Sequence, residues 1–215
     1  MNALLDEIRD KLVARIAALD LSGLAGGMQE ESLSDHVVEL TGLRQAVASG
    51  SGLVADLLTV LAEELAHQLG LLPWPGALPR AAEVLPRLLT WRDFELTLAV
   101  AEKLLPDGLS GRLAQPCETI RADLAGMRSI FVTEWRCADP LVVSAGGAEL
   151  VLRVGRLILA ATLVRVAADA TGDPDQPVTM ARRYAWRWLR APVPEAASPA
   201  HRRRSAVLLN GCGEL

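Results

Sequence analysis

The residues with the most potential for chemistry lie between Met180 and Pro192, in the segment MARRYAWRWLRAP. These positions carry four arginines and three of the chain's aromatic residues. Guanidinium groups bind phosphates and carboxylates and stack on aromatic rings, so the segment could contact nucleic acid, a phosphate or an acidic protein. The same composition also fits the last helix of a bundle whose arginines lie in solvent.

Helical periodicity divides this segment into two faces. Tyr184 and Trp188 fall on the apolar half, whereas Trp186 lies at its edge, among arginines. An exposed tryptophan surrounded by arginines is typical of a protein–protein hot spot. The alternative is that Trp186 covers the joint with a neighbouring helix or with the chain's tail. The predicted interface consists of Arg182, Arg183, Trp186, Arg187 and Arg190.

Two short motifs pair a histidine with a glutamate, as some metal sites do. Glu64 and His67 form Glu-x-x-His, and His36 and Glu39 form the same pair in reverse order. Carboxylate-bridged di-iron bundles need Glu-x-x-His on two helices and a further Glu on two others. Since His67 points away from the apolar arc of its helix, we expect two surface histidines and no metal site.

No nucleophile has a suitable base beside it in the sequence. Cys137 follows Arg136, but no histidine that could act as its base lies nearby. The segment SAGGAEL, Ser144 to Leu150, could cradle an anion at a helix start, but it matches neither a phosphate-binding nor a dinucleotide-binding loop. We read it as a flexible helix start or a close helix approach. We therefore predict no catalytic residue and no cofactor.

The composition is unusually apolar for 215 residues, with 51% hydrophobic residues and a mean hydropathy of +0.25. This surplus predicts either a very dry core or a surface covered by a partner. The most apolar run, Ala148 to Ala170, is interrupted by Arg153, Arg156 and Arg165, which excludes a membrane span. Arg153 and Arg156 are predicted as buried polar residues, which need acidic or anionic partners.

Charge is distributed unevenly along the chain. Residues 1–150 carry 12 basic and 21 acidic side chains, a net charge of −9, whereas residues 151–215 carry a net charge of +5. This asymmetry predicts internal electrostatic docking or an acidic partner. The overall pI near 5.5 argues against nucleic acid. Three cysteines in no metal or disulfide pattern, and the absence of a signal-peptide pattern, favour the cytoplasm.

Apolar residues recur at helical spacing in nearly every segment, and alternation typical of strands is absent. The sequence predicts an all-α antiparallel bundle of about eight helices, with one domain over residues 1–190 and a flexible basic tail over 191–215. Ser34, Ser51 and Thr90 are predicted helix caps, Gly70 a helix end and Pro86 a kink or break. The central helix is predicted over about residues 145–170.

One stretch resembles a known family. Gly155 to Leu189 is similar to the C-terminal helical bundle of acyl-CoA dehydrogenases, over about a sixth of the chain. The family's β-domain and its flavin-contacting Arg-x-x-Phe-Gly segment are absent, so the resemblance implies helical packing and neither a flavin nor a catalytic glutamate. The matching residues are Arg156, Leu157, Ala160, Ala161, Met180, Ala181, Arg182 and Ala185.

These features predict a non-catalytic accessory, adaptor or assembly subunit that binds another protein or itself, with a homo-oligomer expected. The alternative is a helical enzyme or small-molecule binder, whose pocket would take its polar groups from Arg153 or Arg156. We expect no membrane span and no nucleic-acid partner. Under the alternative, a small molecule is the ligand.

Overall fold

Eight α-helices form in the residues that this computed structural model describes, which are 1–17, 27–107, 111–171 and 175–189. Within those ranges there is no β-strand, so the predicted all-α fold is confirmed. A 3₁₀ turn, Gly111–Leu113, precedes α6, and a π-helical turn, Phe131–Trp135, follows it. The helices are α1 Asn2–Ala17, α2 Gly27–Val47, α3 Leu53–Gln68, α4 Leu78–Leu88, α5 Trp91–Leu104, α6 Ala114–Ile130, α7 Pro140–Asp169 and α8 Asp175–Trp188.

Helix α7 is the central helix, and it packs against α2, α3, α4, α5, α6 and α8. Every residue from Leu157 to Val164 is buried, because the helix is apolar on all sides over this stretch. Small residues let its neighbours approach closely: a β-carbon added at Gly42 of α2 would lie 2.9 Å from Leu159 Cδ1. One hydrophobic core includes residues of all eight helices.

Local capping explains several helix ends. Thr90 caps α5 as predicted, because its Oγ1 accepts a hydrogen bond from the Asp93 backbone N–H at 3.3 Å. Gly70 follows α3 with a φ of 74°, a left-handed conformation that glycine adopts without strain. Asp139 caps α7 by accepting a hydrogen bond from the Val142 N–H at 2.9 Å, and Pro140 occupies the first helical position.

Three predictions of local structure are wrong, and one of two alternatives is excluded. Helix α2 already begins at Gly27, so Ser34 lies inside the helix and is not its N-cap. The N-cap of α3 is Gly52, without a side-chain bond, rather than Ser51. The break that the sequence allowed at Pro86, as an alternative to a kink, does not occur, because α4 continues through Pro86 to Leu88. Helix α7 begins at Pro140, because the cap at Asp139 precedes the apolar run.

The predicted flexible tail, residues 191–215, lies outside the described residues, and so does Arg190. Among the helices that are described, none combines the length and the apolar character needed to cross a bilayer.

Candidate functional site

Helix α8 presents the most distinctive surface, which we call the α8 groove. The helix buries Tyr184 and Ala185 against the core, while Trp186 remains 56% exposed at the edge of this face. The space beside Trp186 is open to solvent and has a volume of about 290 Å³. The α8 groove is lined by Gln115, Thr179, Arg182, Arg183 and Trp186.

Two arginines of the predicted interface are held by α2. Arg183 Nε lies 2.6 Å from Asp35 Oδ1, and Arg187 Nε lies 3.3 Å from Asp35 Oδ2. The Asp35 side chain is only 14% exposed, so it is largely enclosed by these contacts. The basic helix α8 thus docks on an acidic residue of the first half of the chain. Internal electrostatic docking was one of the two consequences predicted from the uneven charge distribution.

Arg182 differs from these two arginines. It is exposed, it lines the α8 groove, and it forms no ion pair with any residue in the described ranges. Arg182 therefore shares the groove with the exposed Trp186, and its charge is available to an incoming anion. A carboxylate on an extended or helical partner could accept two parallel N–H bonds from such a group.

The buried polar residues of α7 are engaged inside the fold. Arg153 donates from Nη2 to Asp123 Oδ1 at 2.5 Å and from Nη1 to the Trp188 carbonyl oxygen at 2.5 Å. The side chains of Arg153 and Asp123 are 13% and 3% exposed, so this is a buried ion pair that also caps the end of α8. Arg153 faces an aspartate and not an open cavity.

Arg156 lies one turn further along α7, and its Cζ is 4.1 Å from the Trp188 ring centroid, a cation–π contact. Around it lie Glu39 of α2, which sequence reasoning did not place in the core, and Tyr184 of α8, which is buried as its place on the apolar half predicted. Arg156 Nε and the Tyr184 hydroxyl are buried and have no hydrogen-bond partner among the described residues. We call Glu39, Arg156, Tyr184 and Trp188 the inner polar cluster.

Burial dominates the electrostatics of this region. It raises the pKa of Glu39 from 4.5 to about 7, against the opposing attraction of Arg156. Burial likewise raises the pKa of Tyr184, and the nearby Glu39 charge adds to the effect. The pKa of Asp123 is also raised, because burial outweighs the hydrogen bond from Arg153. The protonated form of Glu39 is therefore well populated near neutral pH.

The histidines are not the surface residues that the sequence predicted. His36 and His67 are both half-buried, and His67 Nδ1 lies 3.1 Å from the Leu72 carbonyl oxygen. Burial lowers the pKa of His36. Within the described ranges, no group of three or more metal-ligating side chains converges.

The small-residue segment from Ser144 to Leu150 lies inside α7 and does not form a helix start. A β-carbon at Gly147 would overlap the Leu85 side chain, so this glycine permits α4 and α7 to pack together. The expectation of a close helix approach is confirmed. Cys137 is exposed after the π-helical turn, whereas Cys117 is buried in the core.

Sequence reasoning missed Glu39 and Asp123 as buried residues, although a signal existed for both. Glu39 precedes the buried Leu43 by one turn, and Asp123 precedes the buried Met127 by one turn. Each acid therefore lies on the apolar face of its helix. An acidic residue on such a face predicts a buried partner, here Arg156 or Arg153 of the central helix.

Comparisons with known proteins add no relative. No protein-family model matches the chain, and neither does any curated protein or any solved structure.

Proposed function

We propose that this protein is a non-catalytic adaptor or assembly subunit that binds an acidic segment of another protein in the α8 groove. The observation that carries the proposal is Trp186, 56% exposed beside Arg182, which has no ion pair in the described part of the chain. Tryptophan and arginine are the residue types most enriched at the energetic centres of protein interfaces.

The ion pairs next to Trp186 hold the α8 groove in place and make its surface positive. Asp35 fixes Arg183 and Arg187, so the helix face that carries Trp186 is held in place before a partner arrives. Preorganised side chains lose less entropy on binding. Arg182, Arg183 and Arg187 together outnumber Asp35, which leaves the face positive and favours acidic over basic partners. Gln115 and Thr179 add hydrogen-bonding groups at the rim.

The cellular setting is part of the proposal. We infer that the protein works in the cytoplasm, where free thiols remain reduced. Both cysteines in the described ranges, buried Cys117 and exposed Cys137, are unpaired.

A peptide-display experiment tests this function. Random peptides are selected on the full chain, and the dissociation constants of enriched peptides are measured by fluorescence anisotropy. We expect enrichment of acidic peptides, with affinity reduced at least about tenfold by Trp186→Ala, since hot-spot truncation costs about 2 kcal/mol or more. A selection without any peptide that depends on Trp186 contradicts the proposal.

Trp74 provides a matched control. It is 78% exposed, lies in the connection between α3 and α4, and does not line the α8 groove. Trp74→Ala removes an exposed indole of the same size, and it should leave the peptide affinity unchanged. Equal loss of binding in both variants would indicate general hydrophobic adhesion instead of a specific groove.

The inner polar cluster favours a second candidate function, the binding of a small polar molecule. The Tyr184 hydroxyl and Arg156 Nε are buried donors without a partner among the described residues. A native mass spectrum of the freshly purified protein should then show an added mass that Tyr184→Phe removes. A spectrum without added mass, or with one that persists in Tyr184→Phe, counts against this candidate.

A further inference from the structure

Helix α5 carries a second exposed surface, distinct from the α8 groove. Leu96 and Val100 are 57% and 38% exposed, although the opposite face of the helix is buried through Phe94 and Leu98. Asp93 precedes Leu96 by one turn, and Lys103 follows Val100 by one turn. These four residues, Asp93, Leu96, Val100 and Lys103, form one stripe along the helix, which we call the α5 seam.

The spacing of the α5 seam is that of a helix–helix contact. Its positions alternate in steps of three and four residues, the repeat of the inner positions of a coiled coil. Leu53 and Val54 of α3 flank the seam and are themselves half-buried. An open groove of about 260 Å³ runs beside the seam, and a leucine side chain from another helix could enter it. Its lining includes Arg87 of α4, which pairs with Asp56. The other lining residues are Ser51, Leu53, Val54, Asp93, Leu96, Thr97 and Val100.

The order of charges in the seam identifies the partner. Asp93 and Lys103 lie equally far from Leu98 in sequence, and so do Leu96 and Val100. When two copies of α5 pack antiparallel about a two-fold axis at Leu98, Asp93 of each copy faces Lys103 of the other. Leu96 then faces Val100. Such self-complementarity is what an isologous interface requires.

Neither charged residue is used within the protomer. Asp93 and Lys103 form no ion pair with any residue in the described ranges, whereas the adjacent Glu102 pairs with Arg128 of α6 at 2.7 Å. The seam charges are thus available to a second copy, whereas Glu102 is already paired with α6.

We infer that the protein forms a two-fold symmetric homodimer through the α5 seam, with α5 antiparallel to its copy. Each Leu96 enters the groove beside Leu53 and Val54 of the other copy, and two Asp93–Lys103 pairs flank the apolar centre. The dimer is independent of the α8 groove, but it would present two such grooves to a partner. Two linked sites can raise avidity above the affinity of either one.

A charge exchange tests this interface with the full chain. The dissociation constant of the dimer is measured by analytical ultracentrifugation over a dilution series. Asp93→Lys places two ammonium groups opposite each other and should weaken the dimer at least tenfold. Lys103→Asp places two carboxylates opposite each other and should do the same. The double variant Asp93→Lys with Lys103→Asp restores the opposite charges and should restore the dimer.

Rescue by the double variant separates the interface from a folding defect, since a destabilised monomer would not be repaired by a second charge change. Leu96→Glu should yield a monomer with an unchanged circular dichroism spectrum. Val132→Glu, at a 49% exposed residue outside the seam, is the matched control and should remain dimeric. A monomeric wild-type protein, or a dimer that survives Leu96→Glu and both single charge changes, overturns the inference. Peptide binding to the α8 groove would stand in either case.

Discussion

The arginines of α7 and those of α8 are chemically identical but occupy opposite environments. Arg153 is 13% exposed and binds Asp123, which is 3% exposed, in the interior of the bundle. Arg187 is 55% exposed and shares Asp35 with Arg183 at the surface. The first pair connects α6, α7 and the end of α8, whereas the second holds the outer face of α8 against α2.

Because of this difference, we expect the inner arginine to stabilise the fold and the outer arginines to be free of that role. Removing one partner of a buried ion pair leaves an uncompensated charge in the core, whereas an exposed pair contributes little to folding. Arg182 differs from both pairs, because it has no ion pair in the described residues. Its charge is therefore available to a partner. The residue type alone does not decide whether an arginine stabilises the fold or binds a partner. The exposure of the arginine itself does, because Asp35 is only 14% exposed although its partner Arg187 is 55% exposed.

The largest effect is expected when the inner pair is broken. Asp123→Ala leaves Arg153 without its carboxylate and should lower the free energy of unfolding by about 3–5 kcal/mol. Urea denaturation measures this change. Asp56→Ala is the control, because Asp56 pairs with Arg87 at 2.5 Å but both side chains are more than a third exposed. That variant should cost at most about 1 kcal/mol, and equal losses in the two variants would remove the contrast.

The next effect concerns pH. Because folding raises the pKa of Glu39 to about 7, the folded protein binds more protons than the unfolded chain between pH 4.5 and 7. The stability that neutral Glu39 provides is therefore lost as pH rises through this range, by about 3 kcal/mol at most. Glu39→Gln keeps the side chain neutral and should be more stable than the wild type at pH 8.

A pH series of urea denaturation on both proteins checks this prediction. The difference between wild type and Glu39→Gln isolates Glu39, since the raised pKa of Asp123 affects both proteins alike. The difference should be near its minimum at pH 5 and should grow towards pH 8. A difference that does not vary with pH would show that Glu39 is charged throughout.

A smaller loss is expected at the outer pair. Asp35→Ala releases Arg183 and Arg187, which should cost about 1–2 kcal/mol because the hydrogen bond to the carboxylate is charge-assisted but partly exposed. Hydrogen exchange of α8 amides should become faster, while exchange in α3 stays unchanged. Uniform acceleration across both helices would show that Asp35 supports the whole core instead of α8.

The smallest effect on folding is expected at the groove itself. Trp186→Ala should change the free energy of unfolding by less than about 0.5–1 kcal/mol, because the indole is more than half exposed. Trp188 lies two residues further along α8 and packs on Arg156, so Trp188→Ala should lower the free energy of unfolding several times more. Thermal denaturation compares the two variants, and a similar loss in both would place Trp186 among the structural aromatics.

Sequence patterns were sufficient for the fold class and for helix signals with a local cause. The Thr90 cap and the left-handed Gly70 depend only on neighbouring backbone groups, so both could be predicted. Ser34 shows the limit of such signals, since a good capping residue remains helical when the preceding residues are helical too.

The inner polar cluster depends on contacts between distant helices. Glu39, Arg156 and Tyr184 come from α2, α7 and α8, and nothing in the sequence gives the order in which these helices pack. Periodicity does place Glu39 on an apolar face, but it does not identify Arg156 as its neighbour. The same holds for Asp35, whose contact with α8 joins residues at opposite ends of the chain.

We propose that the outer arginines recognise a partner, whereas the inner arginines maintain the fold. The most direct measurement is the affinity of an acidic peptide from the display selection for Arg182→Glu and for Arg136→Glu, an exposed arginine outside the α8 groove. We expect at least a tenfold weaker peptide affinity for Arg182→Glu than for Arg136→Glu. The free energy of unfolding of both variants should remain unchanged. Equal affinities for the two variants would contradict the proposal.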